Sequence, residues 1–190
     1  IYFLRRSGER WMRLLWNMRK PVIAQVHGFC LAGGNDLAGS CDLIIAADDA
    51  VFGVPQARAL GIHHTLGFWP LTIGMRKTKE LMYCGDAISG REAERIGMIN
   101  KVVPAAELAA ATKRYADRLA LIGREALSAA KHAVNRGIEA QGFRNGLNAG
   151  VATVGLVHTS KIEADQWFYE KVAEEGPAAA FRWRNAQFKE

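Results

Sequence analysis

Residues Lys20–Asp42 read KPVIAQVHGFCLAGGNDLAGSCD, and the order of residue types in this stretch decides the fold. Val22, Ile23, Ala24 and Val26 form a nearly continuous apolar run after Pro21, the pattern of a short strand buried on both faces. Gly28 ends it. Gly33 and Gly34 then open a segment, Asn35–Ser40, that reads as a helix beginning with a polar Asn-Asp pair. The first turn of a helix leaves backbone N–H groups without intrahelical acceptors, and a glycine backbone admits a ligand closely. Together they suit an oxygen that gains negative charge.

Outward from this stretch the pattern repeats. Leu43–Ala47 is a second buried-strand run, Asp48 and Asp49 form a polar turn, and Val51–Val54 is extended and apolar up to Pro55. Gln56–Pro70 is punctuated by glycine and carries Arg58, His63, His64, Phe68 and Trp69, the composition of a wall around a ligand. Met75–Tyr83 reads as a helix stopped by Gly85. Ser89 with Glu92 is a capping box that opens a short helix ending at Gly97, and Ile99–Val103 is extended before Pro104. Beyond Ala105 helical periodicity takes over, in pieces near Ala105–Leu121, Arg124–Arg136, Phe143–Val157 and Ile162–Glu174. On the N-terminal side, Leu4–Arg19 reads as a basic amphipathic helix that ends before Pro21.

Composition narrows the function classes. The 190 residues, 49% hydrophobic and 23% charged, fit an ordinary globular protein with a sizeable core. No apolar run approaches the roughly 18–20 residues that span a bilayer, and no secretory signal pattern stands at the start, so a cytoplasmic protein is expected. Cys30, Cys41 and Cys84 lack metal-ligand spacing and read as small buried residues in a reducing compartment, with no disulfide and no metal expected. The net charge of +6 suits a phosphate-bearing ligand, an anionic surface or a nucleic acid. Nucleic acid ranks last because no aromatic-and-basic stacking motif accompanies the charge.

The segments KPVIAQVHG, AGG followed by an acid and LA, CDL, FG-x-P and GM-x-x-x-V-x-P occur in one order over nearly the whole chain. In this the sequence resembles the enoyl-CoA hydratase/isomerase family, the crotonase superfamily. The resemblance implies an α/β, crotonase-like fold. A spiral core of repeated β-β-α units over residues 1–122 would be followed by a helical oligomerisation region over residues 123–190, with a homotrimer or a dimer of trimers as the assembly. It implies an acyl-CoA substrate, with coenzyme A present only as part of the thioester and no further cofactor. The likeness begins partway into the family pattern, so the family's N-terminal region, which supplies a second oxyanion N–H, is expected to be missing.

Carried over residue by residue, the resemblance makes Gly33 the oxyanion-hole glycine, with Ala32 and Gly34 completing a tight approach to the substrate. The alternative for the glycine pair is close packing of strand on helix. The family's two catalytic glutamates fall on Asp36, one methylene shorter, and on Gln56, which binds water but exchanges no proton at neutral pH. Asp36 is either a catalytic carboxylate or a helix-start acid that favours the dipole. His63 and His64 are candidate replacements for the lost acid, or ordinary loop histidines. Arg58, Phe68 and Trp69 are candidates for substrate contact. Hydration of a 2-enoyl-CoA is the nominal activity; isomerisation, thioester hydrolysis and acyl-CoA binding without catalysis remain open.

Overall fold

The computed structural model describes residues 12–58, 68–159 and 163–188. Among these, six short strands form two sheets that wind as a spiral. Strands β1 (Ile23–Val26), β3 (Leu43–Ala47) and β6 (Lys101–Val103) make one sheet, all parallel, in the order β1-β3-β6. Strands β2 (Phe29–Leu31), β4 (Val51–Gly53) and β5 (Ala87–Ser89) make the other, in the order β2-β4-β5, with β2 and β4 parallel and β4 and β5 antiparallel. Each chain pass contributes one strand to each sheet, and the corners stack. The Val51 amide donates to Gly28 O at 2.8 Å, and the Gly90 amide donates to Ala50 O at 2.8 Å. Gly28 has φ +59 at the first corner, and a Cβ on Gly90 would stand 3.1 Å from Ala47 O and 3.1 Å from a Val102 methyl. These two glycines let the turns approach each other.

Burial follows position in the sheet. The central strand β3 is buried from Ile44 to Ala47, as a strand covered on both faces must be. Strand β1 departs from that expectation: it is an edge among the described residues, Ile23 and Ala24 are half-buried, Gln25 is exposed and only Val26 is buried. Its apolar run therefore serves one neighbour, β3, and not two.

Helices α1 (Gly33–Gly39), α2 (Phe68–Thr72), α3 (Gly74–Cys84) and α4 (Gly90–Arg95) belong to the spiral. Helices α5 (Leu108–Ala120), α6 (Arg124–Ala140), α7 (Phe143–Thr159), α8 (Glu163–Glu175) and α9 (Pro177–Ala186) follow it. The capping box at Ser89 is present, its hydroxyl oxygen accepting from the Glu92 amide at 3.2 Å. Gly85 closes α3 at φ +66, with its amide bonded to Leu81 O. The predicted basic helix enters the described residues only as a π-helical turn, Met12–Trp16.

Three aromatic rings fasten the helices to the spiral. Trp16 lies 5.0 Å from Phe143 and 5.6 Å from Phe68, and Phe68 lies 4.9 Å from Phe143, centroid to centroid. Such contacts are worth about 0.5–1.5 kcal/mol each beyond their area. A buried charge adds a second tie: the Lys131 ammonium on α6 donates to Leu15 O at 2.8 Å, Lys20 O at 3.3 Å and the Asp42 carboxylate at 2.8 Å. Asp42 in turn accepts from the Val22 amide at 2.7 Å. One ammonium thus holds the entry to β1, the entry to β3 and helix α6 together.

Candidate active site

Parallel pairing of β2 with β4 sets Leu31 opposite Gly53, and the Ala32 amide donates to Gly53 O at 3.1 Å. Both chains leave the sheet at the carboxyl ends of these adjacent strands. One enters α1, with Gly33, Gly34 and Asp36 in its first turn, and the other enters a 3-10 turn, Pro55–Arg58, that carries Gln56. Carboxyl ends of adjacent parallel strands are where α/β folds bind ligands, because loops diverge there above a rigid floor.

The turn into α1 is strained. Ala32 has φ +52 and ψ −122, and it is the only non-glycine residue with positive φ among the described residues. A conformation of this kind costs of order 1–3 kcal/mol and persists only when its surroundings impose it. The ladder bond to Gly53 O does so on one side, and the bond from the Asp36 amide to Ala32 O, 3.1 Å, does so on the other. Because that bond is the first of the helix, the N–H groups of Gly33 and Gly34 lie ahead of the intrahelical ladder. A Cβ built on Gly33 or Gly34 meets nothing within 4 Å among the described residues. Close packing of strand on helix therefore does not explain the glycine pair, and the space over its backbone is open to a ligand.

Asp36 is 7% exposed. Its carbonyl accepts from the Ser40 hydroxyl at 2.8 Å, and Asp36 makes a further interaction besides this one. It lies within electrostatic reach of Cys30 on β2. Burial first, and then the Asp36 carboxylate, push the Cys30 thiol up to about 11, so Cys30 stays protonated at neutral pH. Gln56 is half-buried, and its Oε1 is fully enclosed without a hydrogen-bond partner among the described residues. An enclosed carbonyl oxygen that lacks a donor costs about 1–3 kcal/mol, and a water or a substrate hydroxyl would supply that donor.

The remaining predicted residues divide. Arg58 does not extend into open space: its Nε donates to Cys84 O at 2.7 Å, its Nη2 pairs with Asp86, and its guanidinium lies 4.3 Å from the centre of the Phe188 ring. It clamps the Gly85 turn and the C-terminal end beside the Gln56 turn. Phe68 and Trp69 are buried in the core, Phe68 against Trp16 and Phe143. His63 and His64 lie outside the described residues.

The profile of the family described as enoyl-CoA hydratase/isomerase matches residues 3–173. The chain belongs to this family. Among its relatives, the crotonyl-CoA hydratase of Syntrophomonas wolfei is 36% identical over 95% of this chain and 66% of its own length. The short-chain-enoyl-CoA hydratase of Clostridium acetobutylicum is 38% identical over 70% of this chain and 51% of its own. A solved enoyl-CoA hydratase/isomerase from Xanthobacter autotrophicus Py2 superposes with a TM-score of 0.89 at 34% identity, covering 99% of this chain and 70% of that one. The first curated relatives are matched over only 44% to 66% of their lengths.

Within this enoyl-CoA hydratase/isomerase fold the segments that carry the glycine pair with Asp36 and Gln56 issue from the neighbouring ends of β2 and β4. Two features escaped sequence reading. The Ala32 strain has no sequence signal, since glycine is the residue expected at positive φ. The Lys131–Asp42 tie could have been sought from Asp42, an acid that immediately precedes a buried strand and so needs a partner.

Proposed function

We propose that this chain carries an acyl-CoA thioester site and hydrates a 2-enoyl-CoA, with the open backbone of Gly33 and Gly34 as the observation that carries the reading. The Gly33 N–H donates to the thioester carbonyl oxygen and stabilises the enolate formed when oxygen adds at the β carbon. A donor of this kind lowers the barrier by about 2.7–4 kcal/mol. The Asp36 carboxylate takes one proton from a water whose remaining O–H bonds to the enclosed Gln56 Oε1. The new C–O bond forms at the β carbon, and the proton held by Asp36 passes to the α carbon. One carboxylate thus serves as base and then as acid, and Gln56 positions the water without exchanging a proton.

No cofactor enters this scheme beyond the coenzyme A portion of the substrate. The assembly we favour is the homotrimer, supported by apolar side chains left exposed after the spiral, Leu121, Val134 and Leu156 among them. A cytoplasmic setting is the one we favour; among the described residues no helix is long and apolar enough to cross a membrane.

A second reading, double-bond isomerisation, is favoured by Gln56 alone, because moving one proton between carbons needs a single carboxylate. Incubation with crotonyl-CoA and with a 3-enoyl-CoA separates the two. Hydration adds the mass of water and abolishes the conjugated-thioester absorbance, while isomerisation of the 3-enoyl substrate conserves mass and creates that absorbance. Asp36→Asn is expected to lower either activity by roughly a hundredfold or more. Full activity in Asp36→Asn would refute the assignment.

A further inference from the structure

Between the Met12–Trp16 turn with the residues that follow it and helix α6 lies a cavity of about 500 Å³ that the acyl-CoA scheme does not use. Its wall includes Arg19, Lys131, His132, Arg136 and Arg144 with one carboxylate, Glu139. That carboxylate is committed: it accepts from Arg144 at 2.6 Å and from the Trp16 indole at 3.0 Å. Lys131 is committed to Asp42 and two carbonyls. Arg19 and Arg136 have no carboxylate within salt-bridge distance among the described residues. Arg136 donates from Nε to His132 Nε2 at 3.3 Å, which leaves its terminal guanidinium nitrogens to the cavity. Glu125, near Arg19, is already bonded to Arg124 at 2.9 Å. The wall therefore presents two guanidinium groups with no salt bridge among the described residues, Arg19 within electrostatic reach of Glu125 and Arg136 of Glu139, on a space large enough for a small metabolite.

The cavity is separate from the candidate active site. Lys131 in its wall grips Asp42, just beyond the C-terminal end of α1, whereas Gly33 and Asp36 occupy the N-terminal turn of the same helix. We infer that this cavity is a second site, which binds a small phosphorylated molecule through Arg19 and Arg136. Guanidinium groups match the oxygens of a phosphate in charge and in planar, forked geometry, and a wall with four cations against Glu139 and the Asp42 that Lys131 binds suits a dianion better than a single carboxylate.

The test uses the purified protein and inorganic pyrophosphate as probe, titrated calorimetrically at low and moderate salt, with acetate as the monoanion control. Saturable one-site binding of pyrophosphate that weakens with salt, with no binding of acetate, is expected. Arg19→Gln and Arg136→Gln, both at exposed positions, should each weaken it roughly tenfold or more, while circular dichroism stays that of the parent. Gly33→Ala should leave it unchanged. Absence of saturable binding, or binding indifferent to both arginine substitutions, overturns the proposal. So does loss of pyrophosphate binding in Gly33→Ala, which would place the phosphate in the acyl-CoA site instead.

Discussion

Gly33→Ala separates the two explanations of the glycine pair by the sign of its effects. If glycine were there for internal packing, an added methyl would clash and destabilise the fold. Among the described residues nothing lies within 4 Å of the Cβ position, and Gly33 opens a helix, where alanine is the better former by up to about 1 kcal/mol. Stability is therefore expected to stay level or rise by about 0.5–1 kcal/mol. The same methyl occupies the space through which a thioester oxygen reaches the Gly33 N–H. Displacing that oxygen by about 1 Å forfeits much of the 2.7–4 kcal/mol that such a donor supplies, which is roughly a hundred- to a thousand-fold in kcat/KM. Urea unfolding and the loss of crotonyl-CoA absorbance measure the two quantities on one preparation. Gly90→Ala is the contrasting control, because its Cβ would stand 3.1 Å from Ala47 O. It should cost about 1–3 kcal/mol of stability and leave the turnover of the folded fraction unchanged. A Gly33→Ala protein that is stable and fully active would refute ligand approach at this backbone.

Lys131→Met should destabilise the fold by about 1–3 kcal/mol, because the Asp42 carboxylate keeps only the Val22 amide and two main-chain carbonyls lose their donor, and a fall in the urea midpoint of that size is the check. Of the three cysteines expected to be buried only Cys30 is, Cys84 being exposed at the end of α3; in the native protein at pH 8 a disulfide reagent should titrate Cys84 at once, and Cys30 only after denaturant is added, since burial and Asp36 hold its thiol up to about 11. The bond from Arg144, aided by that from Trp16, holds the Glu139 carboxyl below its usual range, so its contribution is fully present at neutral pH and is lost as pH falls through that depressed value. Acid titrations of the parent and Glu139→Gln should therefore differ in stability near neutrality and converge at the acid end.

How much of this was legible before the fold was known depends on the length over which each signal repeats. Helices α3 and α5–α7 are 11 to 17 residues long and show their periodicity plainly, and the Ser89 cap is a local motif that needs no partner. Strands β2 and β5 have three residues each, too few for an alternation, and exist because β4 lies between them with its hydrogen-bonding groups unpaired on both sides. The candidate site shows the same division. Gly33, Asp36 and Gln56 are spaced along the chain by motifs, so their convergence at two strand ends follows once β2 and β4 pair.

Arg58 is two residues from Gln56 and has the composition of a ligand-binding side chain, yet it bonds the Cys84 carbonyl and Asp86. No local rule distinguishes those outcomes, because the Gly85 turn that receives it is brought there by the sheet. That contact also bears on Gln56. A guanidinium anchored on both Asp86 and the Phe188 ring braces the 3-10 turn, and the Gln56 carbonyl is held enclosed with no donor among the described residues. Water bound there would be positioned by a rigid acceptor, which is how a residue without an exchangeable proton can still direct an addition.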